Sequence, residues 1–305
     1  MSLKATGPPR PRLSPASKVG PLGPGRTRST NVVRLVLARK AALLGVALCA
    51  LVVVCAVFAP TIAPYDPLRI DAAHGVQRPS AAHWLGTDAL GRDVLSRLIY
   101  GARVSIAVGA IAVLIAVLVG IPCGLISGFY GGWRDAVLMR LMDGLAAFPA
   151  LLLALGILTA LGPDVRNAML AIGVVYVPAF SRVMRGSVLA VRNNEYVDAA
   201  RASGASNAYI LLRTVFPNCV SPLLVHMSLG FANAIIIEAA LGFLGLGTQP
   251  PTPSWGAMLN ESRQYLAQNV WYAVGSGLAI FLSVLGLNLF GDSLRDILDP
   301  RLRRL

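Results

Sequence analysis

Six long apolar blocks constrain this chain more tightly than any other feature. They cover roughly Ala41–Ile62, Val104–Ile126, Val137–Leu161, Ala168–Val183, the stretch after Pro217 to about Leu246, and Val270–Phe290. A helix rises about 1.5 Å per residue, so about 20 residues cross the ~30 Å hydrocarbon core of a bilayer. Barrel strands would be about ten residues long and would alternate in polarity, which these blocks do not. A helix satisfies its own backbone N–H and C=O groups, the condition that lipid imposes on anything crossing it. The expected fold is therefore all-α, a polytopic membrane protein with six transmembrane helices. Composition agrees: of 305 residues 55% are hydrophobic and only 13% charged. A soluble domain carries about 25% charged residues, so this chain has too few to cover a water-facing surface.

Charge assigns the sides. Residues 1–36 are basic and rich in Pro, Gly and Ser, with no acidic residue, and are expected to form a disordered cytoplasmic tail. Basic residues also dominate the connection after block 4 (Arg182, Arg185, Arg192, Arg201, Arg213) and the C-terminal end (Arg295, Arg301, Arg303, Arg304). In the alternate connections the charges balance: Arg69, Arg78, Arg92 and Arg97 stand against Asp66, Asp71, Asp88 and Asp93. That alternation follows the positive-inside rule and puts both termini in the cytoplasm. The net charge of +13 thus reads as a topology signal beside lipid headgroups rather than as a nucleic-acid surface. The run Ala41–Ala59 exceeds the apolar core of a signal peptide and reads as an uncleaved first span. Four cysteines, Cys49, Cys55, Cys123 and Cys219, lie in or beside apolar blocks with no CxxC pair and read as packing residues. The amphipathic stretch Arg78–Ile99 is expected to lie along the outer surface before span 2.

The expected organisation is a tail at 1–36, a first helix and extracytoplasmic segment at 37–100, a core at 101–294 and a cytoplasmic end at 295–305. Within the core the cytoplasmic loop 190–218 is long for a connection, and long loops are often functional. Glu195–Ser203 is Ala-rich, acidic early and basic late, as a helix dipole favours. Gly204 suits the left-handed residue that ends such a helix. Ala205–Phe216 resumes as a second short helix with Tyr209, Leu212 and Phe216 on one side, and Pro217 marks the entry to span 5.

These residues carry a resemblance. Asp198-Ala199-Ala200, then three residues, Gly204, nine residues and Thr214-Val215-Phe216-Pro217 resembles the EAA loop of ABC importer permeases. It departs from that pattern with Asp198 for Glu, Thr214 for Ile and Phe216 for Leu. The segments HWLGTDALGRDVLSRLIYGARVSI, GFYGGWRDAVLMRLMD, LGFLGLGTQPPTPSWGAML and GDSLRDILDPR are similar to those of the C-type permease of dipeptide, oligopeptide and nickel importers. Together the likeness covers about Leu35 to Arg301. It implies a type I importer transmembrane domain in a bacterial cytoplasmic membrane, moving short peptides or related solutes inward. Glu195, Asp198, Ala199, Ala200, Gly204 and Pro217 would form the coupling helix that docks on an ATPase. The implied partners are a homologous B-type permease, two cytoplasmic ATPases that bind ATP and Mg, and an extracytoplasmic solute-binding protein. The first outer loop, from Pro64 to about Arg97, is a surface for that binding protein. Nickel and glutathione remain open as cargo.

Polar groups within the blocks are the remaining candidates, because charge in lipid is costly. Glu238 sits among Ala and Gly in AIIIEAALGFLGLG and can serve the translocation path or a neighbouring helix; His226, Asn233 and Asn288 are similar path or packing candidates. Asp143 and Arg140 are expected to pair at the inner end of span 3. The lysines are Lys4, Lys18 and Lys40, none after Gly, so no GxxxxGK(S/T) phosphate loop exists. No HExxH, GxSxG or Cys/His metal pattern occurs either, so no enzyme activity, cofactor or metal is expected in the chain itself. An ion-driven secondary transporter is the competing reading, and it leaves the long loop without a purpose.

Overall fold

The computed structural model describes residues 40–298. The basic tail at 1–36 and most of the C-terminal end at 295–305 lie outside the described residues. Five helices are long and apolar enough to cross a membrane, and a sixth crossing exists if one bent pair is a single span. We label them α1 (Lys40–Val57), α2 (Val94–Tyr130), α3 (Gly132–Ala146), α4 (Ala150–Leu161), α5 (Val165–Val191), α6 (Glu195–Ala202), α7 (Asn207–Phe243), α8 (Trp255–Ser262) and α9 (Val270–Leu298).

The expected third span, Val137–Leu161, falls on a bent pair of helices. Between α3 and α4 the chain bends by 86°. Pro149 is the cause: it occupies the cap before α4 with an extended backbone, and a proline disfavours helical geometry in the residue before it. A second difference concerns Arg78–Ile99. From Val94 onward this stretch is the first part of α2 instead of a surface helix. Asp93 caps it, accepting from the Ser96 backbone N–H at 2.8 Å. At 37 residues α2 is about 55 Å long and overshoots the ~30 Å core of a bilayer at its ends.

The centre of the molecule is a parallel pair, α2 and α5, joined along a ridge of glycines. A Cβ at Gly120 would stand 2.8 Å from the Val177 carbonyl oxygen; one at Gly128 would stand 2.8 Å from the Val188 Cβ; Gly124 faces the Ser181 carbonyl more closely still. Four-residue spacing keeps these three on one helix face. Small residues of this kind let membrane helices approach backbone to backbone, where dispersion and weak polar contacts replace the hydrophobic effect. Around that pair α7 packs on both helices, and α1 lies antiparallel to α9. Gly45 meets Leu289 and Gly286 meets Leu48, so the start of α1 lies beside the end of α9. Of the five long helices, α1 and α9 are the least buried. Their exposed faces carry Leu43, Leu44, Leu51, Val54, Leu278 and Phe281, which suits contact with lipid.

The four cysteines are unpaired, consistent with packing residues.

Candidate functional site

The loop between α5 and α7 is built in three steps. α6 begins after Asn194, with Glu195 and Asp198 in its first turn and Arg201 in its last. Both charge placements oppose the partial charges at the helix ends, and Arg201 Nη1 donates to Asp198 Oδ1 at 3.0 Å. Gly204 ends the helix at φ +80°, and its neighbours close the terminus: Gly204 N donates to Arg201 O at 2.9 Å and Ala205 N to Ala200 O at 3.1 Å. A Cβ at Gly204 would meet nothing within 4 Å, so backbone conformation, not space, calls for glycine there. Ser206 then caps α7, accepting from Tyr209 N at 3.3 Å.

One expectation changes here. The second short helix does not stop before span 5; Asn207–Phe243 is continuous. Residues Ile210–Val215 form a π-helical stretch, in which the Phe216 N–H reaches back to Leu211 O. Pro217 lacks an N–H and would crowd the carbonyl four residues earlier. The wider π turn just before it lets the helix run on through the proline. Pro217 therefore opens the α-helical part of span 5, at the point where the π stretch passes into it within one continuous helix.

The loop is seated by Val197, fully buried, in a cluster with Phe129, Val188, Ile210, Val215 and Cys219. That contact ties α6 to the C-terminal ends of α2 and α5 and to the start of α7. The same corner is held by ions. Arg185 forks onto Asp135 of α3, Nε to Oδ1 and Nη2 to Oδ2 at 2.7 Å each, and Ser127 of α2 also donates to Asp135. Arg192 Nη1 donates to Gly128 O at 2.7 Å. Above this base the loop turns its other residues outward. Glu195, Asp198, Ala199 and Gly204 are exposed and Ala200 is half-buried. Tyr196, Tyr209 and Leu212 are exposed as well, Leu212 at 58%. The outward face thus mixes small residues and bare Tyr196, Tyr209 and Leu212 side chains with the charges of Glu195, Asp198 and Arg201, with a helix end in the middle.

The polar candidates within the helices separate. Glu238 is buried and accepts from Ser105 Oγ of α2 at 3.3 Å, while its Oε1 has no partner among the described residues. It sits where α8 presses on α7, since Gly256 closes on the Ala239 backbone. His226 is half-buried with its ring 4.7 Å from that of Phe180. Asn233 is exposed and Asn288 half-buried. These four do not converge on one point. Asp143 pairs with Arg182 of α5 at 2.8 Å, not with Arg140; both carboxylate and guanidinium are exposed, so the pair contributes little. Among the described residues no group of three or more His, Cys, Asp or Glu side chains is placed to hold a metal.

Sequence reading missed a second constellation at the opposite end of α2. Counting charges balanced Arg92 and Arg97 against Asp88 and Asp93 but did not bury them. Arg92 Nε donates to Asp88 Oδ2 at 2.6 Å, and Arg97 Nη1 donates to the same carboxylate. Arg97 also reaches Glu261 Oε2 of α8 at 3.1 Å, which accepts from Tyr272 of α9 at 2.6 Å. Asp93 accepts from Ser96 Oγ at 2.7 Å and stands 2.9 Å from His83 Nδ1. The available signal was the spacing of Asp88 and Arg92, four residues apart; Glu261 had none.

Comparison with known proteins agrees with this architecture. Residues 120–304 match the family described as binding-protein-dependent transport system inner membrane component. Residues 31–79 match the N-terminal TM domain of oligopeptide transport permease C. A dipeptide transport system permease of Alkalihalophilus pseudofirmus is 43% identical over 264 residues, 87% of each chain. A di/tripeptide transport system permease of Pseudomonas aeruginosa is 47% identical over 87% of this chain and 89% of its own. A glutathione transport system permease of Pectobacterium atrosepticum is 43% identical over 83% and 84%. Among solved structures, a methionine ABC transporter in inward-facing conformations superposes with a TM-score of 0.56 at 15% identity, over 66% of this chain and 96% of that one. At that identity the likeness concerns the fold alone.

Proposed function

The chain belongs to the family of binding-protein-dependent transport system inner membrane components, and from that premise we propose that it is the membrane permease of an importer for short peptides, driven by ATPases on other chains. Two relatives named for dipeptides or di/tripeptides and one for glutathione, itself a short peptide, support that substrate class. The observation that carries the proposal is the loop at Glu195–Pro217. It is anchored at Val197 and offers an outward face of Tyr196, Ala199, Tyr209 and Leu212. Small residues let a partner surface come close, and bare aromatic and leucine side chains supply the apolar contact that an interface needs.

In this reading Glu195, Asp198, Ala199, Ala200 and Gly204 form the docking element, and Pro217 sets the π-helical joint above it. Both termini lie in the cytoplasm with the loop, as the positive-inside bias supports. The opposite end, with the segment 63–93, meets an extracytoplasmic solute-binding protein, and a homologous B-type permease completes the path. Closure of the ATPases moves α6, and α6 moves α5 and α7 through Val197, so that access to the path alternates. The sequence carries no GxxxxGK(S/T) phosphate loop, and in this reading ATP and Mg belong to the partner subunits. Glu238 acts between helices: its neighbours Ser105 and Ser254 come from α2 and the α8 cap. His226, Asn233 and Asn288 act as isolated packing or path-lining groups.

Ala199→Arg tests the dock. Ala199 is exposed, so the variant should accumulate in the membrane normally while uptake of a labelled dipeptide is lost. Wild-type uptake would remove this face as the dock. The substrate class is tested separately, by deleting the chain and measuring uptake of dipeptides, glutathione and nickel side by side. Loss confined to nickel would overturn the peptide reading.

A further inference from the structure

An apolar cavity of about 240 Å³ lies between α1, α2, α8 and α9, bordered by Leu51, Cys55, Leu98, Trp255, Leu278 and Ser283. It extends from the outer ends of α1 and α9 toward their middles. The only side chain among these six with an oxygen is Ser283, whose hydroxyl is already committed to the Ala279 carbonyl at 2.7 Å. Trp255 Nε1 is likewise occupied by the Leu98 carbonyl at 2.8 Å. Water needs two to four polar partners to stay in a cavity, and cavities of about 150 Å³ lined this way remain dry and accept hydrocarbon. The position selects the occupant. α1 and α9 are the least buried spans, and the mouth is flanked by Trp271, Val274 and Leu278, all exposed. Trp271 stands at the first turn of α9, where tryptophans mark the headgroup level of a bilayer. Arg103 sits where α1 meets α2, donating to the Ala56 carbonyl at 2.6 Å and the Val57 carbonyl at 3.2 Å. Its exposed guanidinium thus follows Ala102 in α2 and binds the carbonyl of Ala56, the residue after Cys55; Ala102 and Cys55 are both part of the wall.

We propose that this cavity is a phospholipid site: one acyl chain of the leaflet on the side of the 63–93 segment enters between α1 and α9, with its phosphate toward Arg103. The site holds a chain at a fixed place against Trp255, unlike the lipid that slides over the rest of α1 and α9. It is independent of what the protein transports.

Two of the lining residues report on it directly, because Trp255 is 2% exposed and Trp271 50%. The chain has four tryptophans. Full-length variants that retain one apiece, Trp255 or Trp271, with the others replaced by Phe, are reconstituted into phosphatidylcholine vesicles. The lipid is then exchanged for the same lipid brominated along its acyl chains, a contact quencher of indole emission. Trp271 should be quenched in any case and shows that lipid reaches the rim. Trp255 should be quenched too, and Ala279→Phe, which fills the cavity, should abolish the Trp255 loss while leaving that of Trp271. Unquenched Trp255 beside a quenched Trp271 would overturn the site. Quenching of Trp255 that survives Ala279→Phe would overturn it as well, by showing that loosely associated lipid suffices.

Discussion

The two ends of α2 solve opposite problems. At one end Asp88, Arg92 and Arg97 join Glu261 of α8 and the Tyr272 hydroxyl of α9 in one ion-pair and hydrogen-bond network, with Arg97 Nε left unpartnered. At the other, α6 and the start of α7 bury only Val197 and the core beneath it, and leave Tyr196, Tyr209 and Leu212 bare. A buried charge is tolerable only when its partners are in place, and at the first end Asp88, Arg92 and Arg97 find their counter-charges within the one chain. Exposed apolar side chains are unfavourable in water and gain when covered, so in the proposed reading the second end is finished by another molecule. Damage to the first should therefore appear as lost stability, and damage to the second as lost activity in a well-folded protein.

Arg97→Ala breaks the closed end most severely. It leaves Asp88 and Glu261 short of a counter-charge, and removing one member of a buried pair costs about 3–5 kcal/mol. Thermal denaturation of the purified protein in detergent should show the largest fall in midpoint of any variant here; an unchanged midpoint would mean that the network is solvated. Asp93→Ala follows. It removes the α2 cap together with the Ser96 hydroxyl and His83 contacts, for a loss of about 2 kcal/mol, the upper range for a cap, read in the same assay. Gly204→Val lies on the open end. Forcing a side chain into the left-handed region costs about 1–2 kcal/mol, yet peptide uptake should fall far more than the melting midpoint does. Proportionate losses in both would erase the contrast between the ends. Ala199→Arg, with no loss of stability and full loss of uptake, is its sharpest form.

The spans were legible in the sequence because hydropathy is a local property: twenty apolar residues need lipid wherever else the chain goes. The turn at Gly204 was legible for the same reason, since a left-handed helix end is specified within a few residues. Three features were not. Arg97 and Glu261 are 164 residues apart, and nothing local marks them as partners. The π stretch at Ile210–Val215 arises from continuity between two segments that each look like a separate helix, so Pro217 read as a boundary. The bend at Pro149 fell inside a stretch whose mean hydropathy still resembled one span. The glycines at 120, 124 and 128 stood in plain view at four-residue spacing, but only the facing backbone of α5 shows what they are for.

Those three glycines also settle how motion passes through the molecule. Side chains between packed helices act as bearings: they change rotamer, and one helix slides while its neighbour stays. Where α2 meets α5 the three glycines let the α5 backbone come close over two helical turns, with Phe180, Met184 and Val188 packed beside them. So close a fit resists sliding, and in the proposed mechanism the pair would tilt as a single beam. One end of that beam carries the Arg97 network and the other carries the seat of α6. A push at the loop arrives at the far face with little lost on the way, as a lever delivers it.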